Sequence, residues 1–275
     1  MPQQTTLAKI ACYEGVGLHS GQPVSIALNP APPETGIVFA RVDLPGVPRV
    51  RAAAANVTNT MRATTLENGD AKVFTVEHLL SAFSAMGVDN CLVEINSVEP
   101  PVADGSALPF AKLILEAGIA AQDRPRAYVD ISREITIRQP DKFIAVLPYD
   151  GFRISFTSVN PHPLIGIQFG DYEITPELFL REIAPARTIG FMHEVAALHA
   201  QGLGLGGNQE NVVIYDEGKV LTPLRYPDEL VRHKILDVIG DLALAGRIRG
   251  HIIAAKSSHA LNTALAKQIA ASWQK

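Results

Sequence analysis

Three side chains on one stretch of the sequence could share a cation. In the run Glu229 to Gly246, His233, Asp237 and Asp241 are spaced i, i+4, i+8. Each step of four residues along an α-helix drifts by only about 40°, so the three stand in one row. Val231, Ile235, Val238, Leu242 and Ala245 form the opposite face, while Leu230, Leu236 and Leu244 flank the polar row itself. A helix that is apolar nearly all round is a buried helix. An imidazole and two carboxylates inside it are costly unless they are paired or bound to a cation. The alternative is a plain His–Asp ion pair on a half-solvated face.

Glu77-His78 offers the missing partners. A catalytic zinc takes three protein ligands and leaves a fourth position to water. His78, His233 and Asp237 supply a His, His, Asp set, and imidazole and carboxylate donors without a thiolate suit zinc or iron(II). Zinc lowers the pKa of bound water to about 7, and Glu77, next in sequence to a ligand, is placed to take the proton. The alternative for Glu77 is an ordinary first-turn acid favoured by the helix dipole. His259 follows Ser257-Ser258 and is a candidate proton donor, with Asp241 placed to keep it an imidazolium. A histidine that merely starts a helix is the alternative there. Lys234 either stabilises an oxyanion or is a solvated lysine. Among the other histidines none has metal-ligand spacing.

The elements that must carry these residues follow from pattern and punctuation. Strands are expected at Leu7–Cys12, Val24–Leu28, Gly36–Val42 and Met61–Leu66, with the Gly15–Gly21 run as a turn. Thr75 is placed to cap a helix that carries Glu77-His78 and stops at Gly87. A strand at Cys91–Asn96 and a helix at Ala107–Ala117 complete the first half. Ala121–Arg126 reads as a linker. The plan then repeats, with strands at Tyr128–Arg138, Lys142–Leu147 and Phe152–Thr157, the helix 228–246, a strand at His251–Ala255 and a helix at His259–Trp273. Pro227 and Asp228 suit a helix start. The fold class is therefore α+β: two domains of similar topology, 1–122 and 127–275, each a layered sheet-and-helix sandwich, with the site at their interface. The second domain carries short helices at Thr175–Ile183 and Met192–Gln201 and an insertion at about 190–215 with few charges, suited to wall an apolar groove. Within it, Gly202–Gly207 lacks the Lys-Ser/Thr of a Walker loop and follows a helix rather than a strand, so it reads as a flexible turn. A nucleotide-binding loop is the alternative.

Bulk properties narrow the class. A chain of 275 residues with 47% hydrophobic and 19% charged residues is expected to bury a substantial core. No apolar run approaches the roughly 20 residues that span a bilayer, and the start of the chain lacks a secretion signal. A net charge of −4 gives no reason to expect nucleic-acid binding. Cys12 and Cys91 have no metal spacing and read as buried thiols rather than a disulfide. A cytoplasmic protein is expected, any metal being held by histidines and carboxylates.

Seven ordered motifs carry a resemblance: Gly15-Val-Gly-Leu-His-Ser-Gly21, Thr75-Val-Glu-His-Leu79, Asp104-Gly-Ser106, Ala186-Arg-Thr188, Leu205-Gly-Gly207, Val231-Arg-His-Lys-Ile-Leu-Asp237 and Lys256-Ser-Ser-His-Ala-Leu-Asn262. Over nearly its whole length the chain resembles the UDP-3-O-acyl-N-acetylglucosamine deacetylases of lipid A biosynthesis. The resemblance implies zinc on His78, His233 and Asp237, the general base at Glu77, and a protonated histidine at His259 backed by Asp241. It implies an oxyanion contact at Thr188 and substrate contacts at Lys234, Lys142, Phe191, Ile189 and His19. The insertion then forms a passage for the acyl chain. The implied partner is a UDP-linked acylated amino sugar, met by a monomer with at most transient contact with a membrane surface and no nucleic acid. A non-catalytic relative with a structural zinc is the alternative within that resemblance. Three positions depart from the family pattern: Ile189 replaces the usual Phe, Ser258 replaces a Gly, and Val159-Asn-Pro-His-Pro163 replaces Phe-x-His-Pro.

Overall fold

The computed structural model describes residues 2–273. In chain order the first half contains β1 (Gln3–Leu7), β2 (Ala11–Val16), β3 (Pro23–Pro30), β4 (Ile37–Arg41), β5 (Arg49–Arg51), β6 (Val57–Asn59), β7 (Thr65–Asn68), β8 (Ala71–Val73), α1 (Glu77–Met86), β9 (Cys91–Ile95), α2 (Leu108–Ala117) and β10 (Ile119–Pro125). The second contains β11 (Val129–Asp130), β12 (Ile135–Gln139), β13 (Lys142–Leu147), β14 (Phe152–Val159), β15 (Ile167–Glu173), α3 (Pro176–Leu178), β16 (Ile189–Phe191), α4 (Met192–Ala200), β17 (Val213–Asp216), β18 (Lys219–Val220), α5 (Glu229–Ala243), β19 (Ile248–Ala255) and α6 (His259–Trp273).

The two halves repeat one topology. The first main sheet has the order β2-β3-β9-β4-β5, and the second has β12-β13-β19-β14-β15 with β11 added beside β19. In each, the last strand in sequence enters the middle, antiparallel to one neighbour and parallel to the other. Alternation sets the faces: Val24, Ile26 and Leu28 of β3 point inward, as do Ile252 and Ala254 of β19. Ile252 pairs with Val146 on one side and Ile154 on the other, so three β-branched side chains share one buried face. Burying each such side chain contributes about 1.5–3 kcal/mol. Helices cover the sheets: α2 packs on β2, α5 on β14 and β15, and α6 on β12 and β13. The halves meet where α1 packs on α5.

Five local expectations are corrected. Leu7–Cys12 is not one strand; the chain turns at residues 8–10 because β1 pairs with β10 while β2 joins the main sheet. Ala121–Arg126 is not a linker: Ala121–Pro125 belong to β10, a mostly exposed ribbon strand whose polar residues hide any alternation. Met61–Leu66 is a bend followed by β7, which starts at Thr65. Tyr128–Arg138 breaks into β11 and β12. Thr75 does not cap α1; it sits at φ 55° and its hydroxyl donates to Glu99. The edge strand β15 had no clear signal, since Gly170 interrupts it where the Ile235 side chain approaches.

Candidate active site

The first turn of α1 and the middle of α5 bring the row on α5 against Glu77-His78. Gly240, between Asp237 and Asp241, makes the approach possible: a Cβ there would collide with the Glu77 carbonyl. The His78 and His233 rings stand edge to face with centroids 5.0 Å apart. Asp237 Oδ1 lies 3.5 Å from His233 Nε2 and 3.9 Å from His78 Nε2. One ligand atom from each of the three falls within 4.8 Å of the others.

The donor set fits a cation. Asp237 Oδ1 is buried and has no hydrogen-bond partner among the described residues, although its Oδ2 accepts from Lys234 Nζ at 2.7 Å. Ion pairing to the imidazoles does not satisfy it. Burial, with the neighbouring His233, pushes His78 down to about 3, and burial also lowers His233, so both rings are neutral. Burial opposes the Asp237 charge, but the neighbouring Lys234 ammonium outweighs it and holds the carboxyl well below the usual carboxylate range. The same contact raises Lys234 against its own desolvation. His233 Nδ1 donates to the Ala186 carbonyl at 3.1 Å, leaving the Nε2 lone pair facing Asp237. Metal-bonded nitrogen and oxygen at about 2.0–2.2 Å sit roughly 3.3 Å apart around a tetrahedral ion, close to the separations found. A buried carboxylate oxygen unpaired among the described residues, lying beside two neutral imidazoles, is what a divalent cation satisfies.

Beside this set lies a second pair. His259 opens α6, its Nδ1 2.8 Å from Asp241 Oδ2 and its Nε2 3.9 Å from Glu77 Oε1. Burial works against charge on His259, but Asp241 and Glu77 outweigh it and raise the imidazole to about 10. Burial pushes Glu77 up to about 7 despite His259 nearby. An imidazolium and a weakly acidic carboxyl therefore face each other at 3.9 Å, both lining the cavity. Asp241 is fully buried and fully bonded: Asn262 Nδ2 and His259 share Oδ2, and Thr64 Oγ1 donates to Oδ1 at 2.6 Å.

A cavity of about 600 Å³ opens onto this cluster. His78, His233, Asp237, Glu77, His259, Lys234, Thr188, Ile189, Phe191 and His19 all line it. Asp241 stands behind His259, and Lys142, at the start of β13, is not among the lining residues. The 190–215 segment contributes an apolar wall from α4, β16 and β17, including Met192, Val195, Leu198 and Ile214. Its glycine run is pinned rather than free: Leu205 and Gly206 donate their amides to the carbonyls of His19 and Leu18. Those amides are spent on the protein, not offered to phosphates. Thr64, Glu99, Gly240 and Arg62 escaped the reading of the sequence, and Lys256 entered it only as part of a motif, without a role. Only Gly240 carried a signal, as the single glycine inside the α5 helix and between two in-line acids.

Fold and site together define a class: an α+β protein built from two like halves, with a candidate metal centre where their helices cross. The model of the family described as LpxC, UDP-3-O-acyl N-acetylglycosamine deacetylase, matches residues 4–271. Relatives named UDP-3-O-acyl-N-acetylglucosamine deacetylase are 44% identical over 278 residues in Hahella chejuensis (strain KCTC 2396) and 46% over 276 in Pseudomonas entomophila (strain L48). A third, from Thioalkalivibrio sulfidiphilus (strain HL-EbGR7), is 42% identical over 276 residues. Each alignment covers 98% of this chain and 91% of the relative. The chain belongs to the UDP-3-O-acyl N-acetylglycosamine deacetylase family.

Proposed function

We propose that this chain is a zinc-dependent hydrolase of lipid A biosynthesis that removes the N-acetyl group from a UDP-3-O-(3-hydroxyacyl)-N-acetylglucosamine and releases acetate. The observation that carries this reading is Asp237 Oδ1, buried without a donor among the described residues and facing two neutral imidazoles in the lining of a cavity. His78, His233 and Asp237 would hold the zinc. When bound, zinc supplies Lewis acidity to the carbonyl oxygen and acidifies water.

The chain's own residues do the remaining work. Glu77 takes a proton from the attacking water as the new C–O bond forms, a role suited to a carboxyl raised toward neutrality. His259, kept cationic by Asp241, delivers a proton to the leaving nitrogen as the C–N bond breaks. Thr188 and Lys234 stabilise the oxyanion that develops between these events. Phe191, Ile189 and His19 contact the sugar, and the wall from α4 and β17 takes the acyl chain. Lys142 serves the diphosphate; its neighbour Asp141 pairs with Lys256, which lines the cavity.

In this reading the two halves are domains divided between residues 122 and 127, and the protein works as a cytoplasmic monomer on a small-molecule substrate. It takes no nucleic acid and touches a membrane surface at most transiently. Among the described residues no helix is long and apolar enough to cross a membrane. The test is release of acetate from the UDP-linked substrate by purified protein. Activity lost to a chelator and restored by added zinc supports the reading; no acetate from zinc-loaded protein overturns it.

A further inference from the structure

Thr64 is fully buried, yet it lies between β6 and β7 at the end of an irregular bend, two residues after Arg62 at φ 66°. Both of its polar handles go to the acid–base pair. Its amide donates to Glu77 Oε2 at 3.1 Å, and its hydroxyl donates to Asp241 Oδ1 at 2.6 Å. Glu77 belongs to α1 and Asp241 to α5, so one residue ties carboxylates from both halves.

The geometry has a chemical consequence. A carboxylate held at one oxygen has a fixed plane. With Oε2 of Glu77 on the Thr64 amide, Oε1 is the oxygen that faces His259 Nε2. With Oδ1 of Asp241 on the Thr64 hydroxyl, Oδ2 is left for His259 Nδ1 and Asn262. Removing the hydroxyl leaves a buried carboxylate oxygen without a donor, which the site relieves by turning Asp241 and releasing the His259 ring. We propose that Thr64 is a positioning residue for deacetylation, its amide and hydroxyl fixing Glu77 and Asp241 so that Glu77 Oε1 and His259 Nε2 address the same space. The inference rests on the proposed reaction for its kinetic test but not for its structural one.

Thr64→Val keeps the shape and removes the hydroxyl; Thr64→Ser keeps the hydroxyl and removes the methyl. Partners that orient reacting groups typically matter by about 10–100-fold. The expected result is a kcat lower by that factor in T64V, KM within about twofold, unchanged zinc content, and T64S within about threefold of wild type. In an Asp241→Asn background the T64V change costs nothing further. Wild-type turnover by T64V, an equal loss in T64S, or a full additional loss in the Asp241→Asn background would each overturn the proposal. If T64V does not fold, T64S decides alone: a tenfold loss there contradicts the role. Proton NMR of metal-free protein separates this inference from the proposed reaction. The His259 Nδ1 proton resonance moves in T64V and stays in T64S if Thr64 sets the Asp241 contact; an unmoved resonance in T64V refutes it whether or not the wild type releases acetate.

Discussion

Gly240 of α5 lies directly against the backbone carbonyl of Glu77 on α1, so close that no Cβ fits between them. The two helices come from different halves, and this contact sets the spacing between the Glu77-His78 pair and the row on α5.

Gly240→Ala therefore has opposing effects whose signs differ. Replacing glycine inside a helix stabilises it by about 1 kcal/mol from propensity alone. The collision with α1 costs about 1–3 kcal/mol of overpacking. We expect net destabilisation in urea unfolding, together with a loss of metal affinity, because His78 moves away from His233 and Asp237. A variant more stable than wild type with unchanged metal affinity would contradict the role given to this contact.

Glu77→Gln keeps the shape of the side chain and removes the base. General acid–base groups contribute roughly 10²–10⁴-fold, so kcat falls by that range while zinc content stays at one per chain. Steady-state kinetics beside metal analysis checks both. Wild-type turnover in this variant sinks the assignment.

The raised His259 imidazole sets a pH dependence of stability in the metal-free protein. An exposed histidine titrates near 6.5, while His259 in the fold is pushed up to about 10. The folded state then holds the proton more tightly than the unfolded one. Its contribution is full below about pH 6.5 and is lost as pH rises through about 10. Unfolding free energies measured across that window should fall more steeply for wild type than for His259→Gln. Parallel curves would show that His259 is not held cationic by Asp241 and Glu77.

At the far end of α1, about 15 Å along the helix from Glu77, Asp89 gathers Arg126 and Arg247 on one carboxylate and also accepts from the Thr5 amide. Arg247 reaches back to the Ser84 carbonyl as well. Asp89→Ala strands two arginines that are largely buried, and the expected cost is about 1–3 kcal/mol. The kcat of the folded protein should not change. A silent effect in thermal unfolding would show that the halves are held by their apolar seam alone.

Much of the site was legible because its chemistry lies in helices with regular spacing. His233, Asp237 and Asp241 fell into one row by arithmetic, and α5 and α6 were found nearly to their ends. The repeated half was visible as strands followed by helix, strand and helix. What escaped has a common cause: it depends on chain reversals and long-range contacts. Thr64 sits at the end of a bend that reads as a short strand, and its partners lie 13 and 177 residues away. Glu99, buried and bonded to the amides of His19 and Ser20, fixes a turn 80 residues upstream. The exposed ribbon β10 carries charges because it buries nothing, so its composition matched a linker.

The proposed function requires one divalent cation shared by the two halves. X-ray data collected on either side of the zinc absorption edge, from crystals of protein purified without chelator, test it directly. A single anomalous peak within bonding distance of His78 Nε2, His233 Nε2 and Asp237 Oδ1 is the predicted result. Zinc-loaded crystals with no peak there, or with a peak bound by a fourth protein ligand that closes the site, would contradict it.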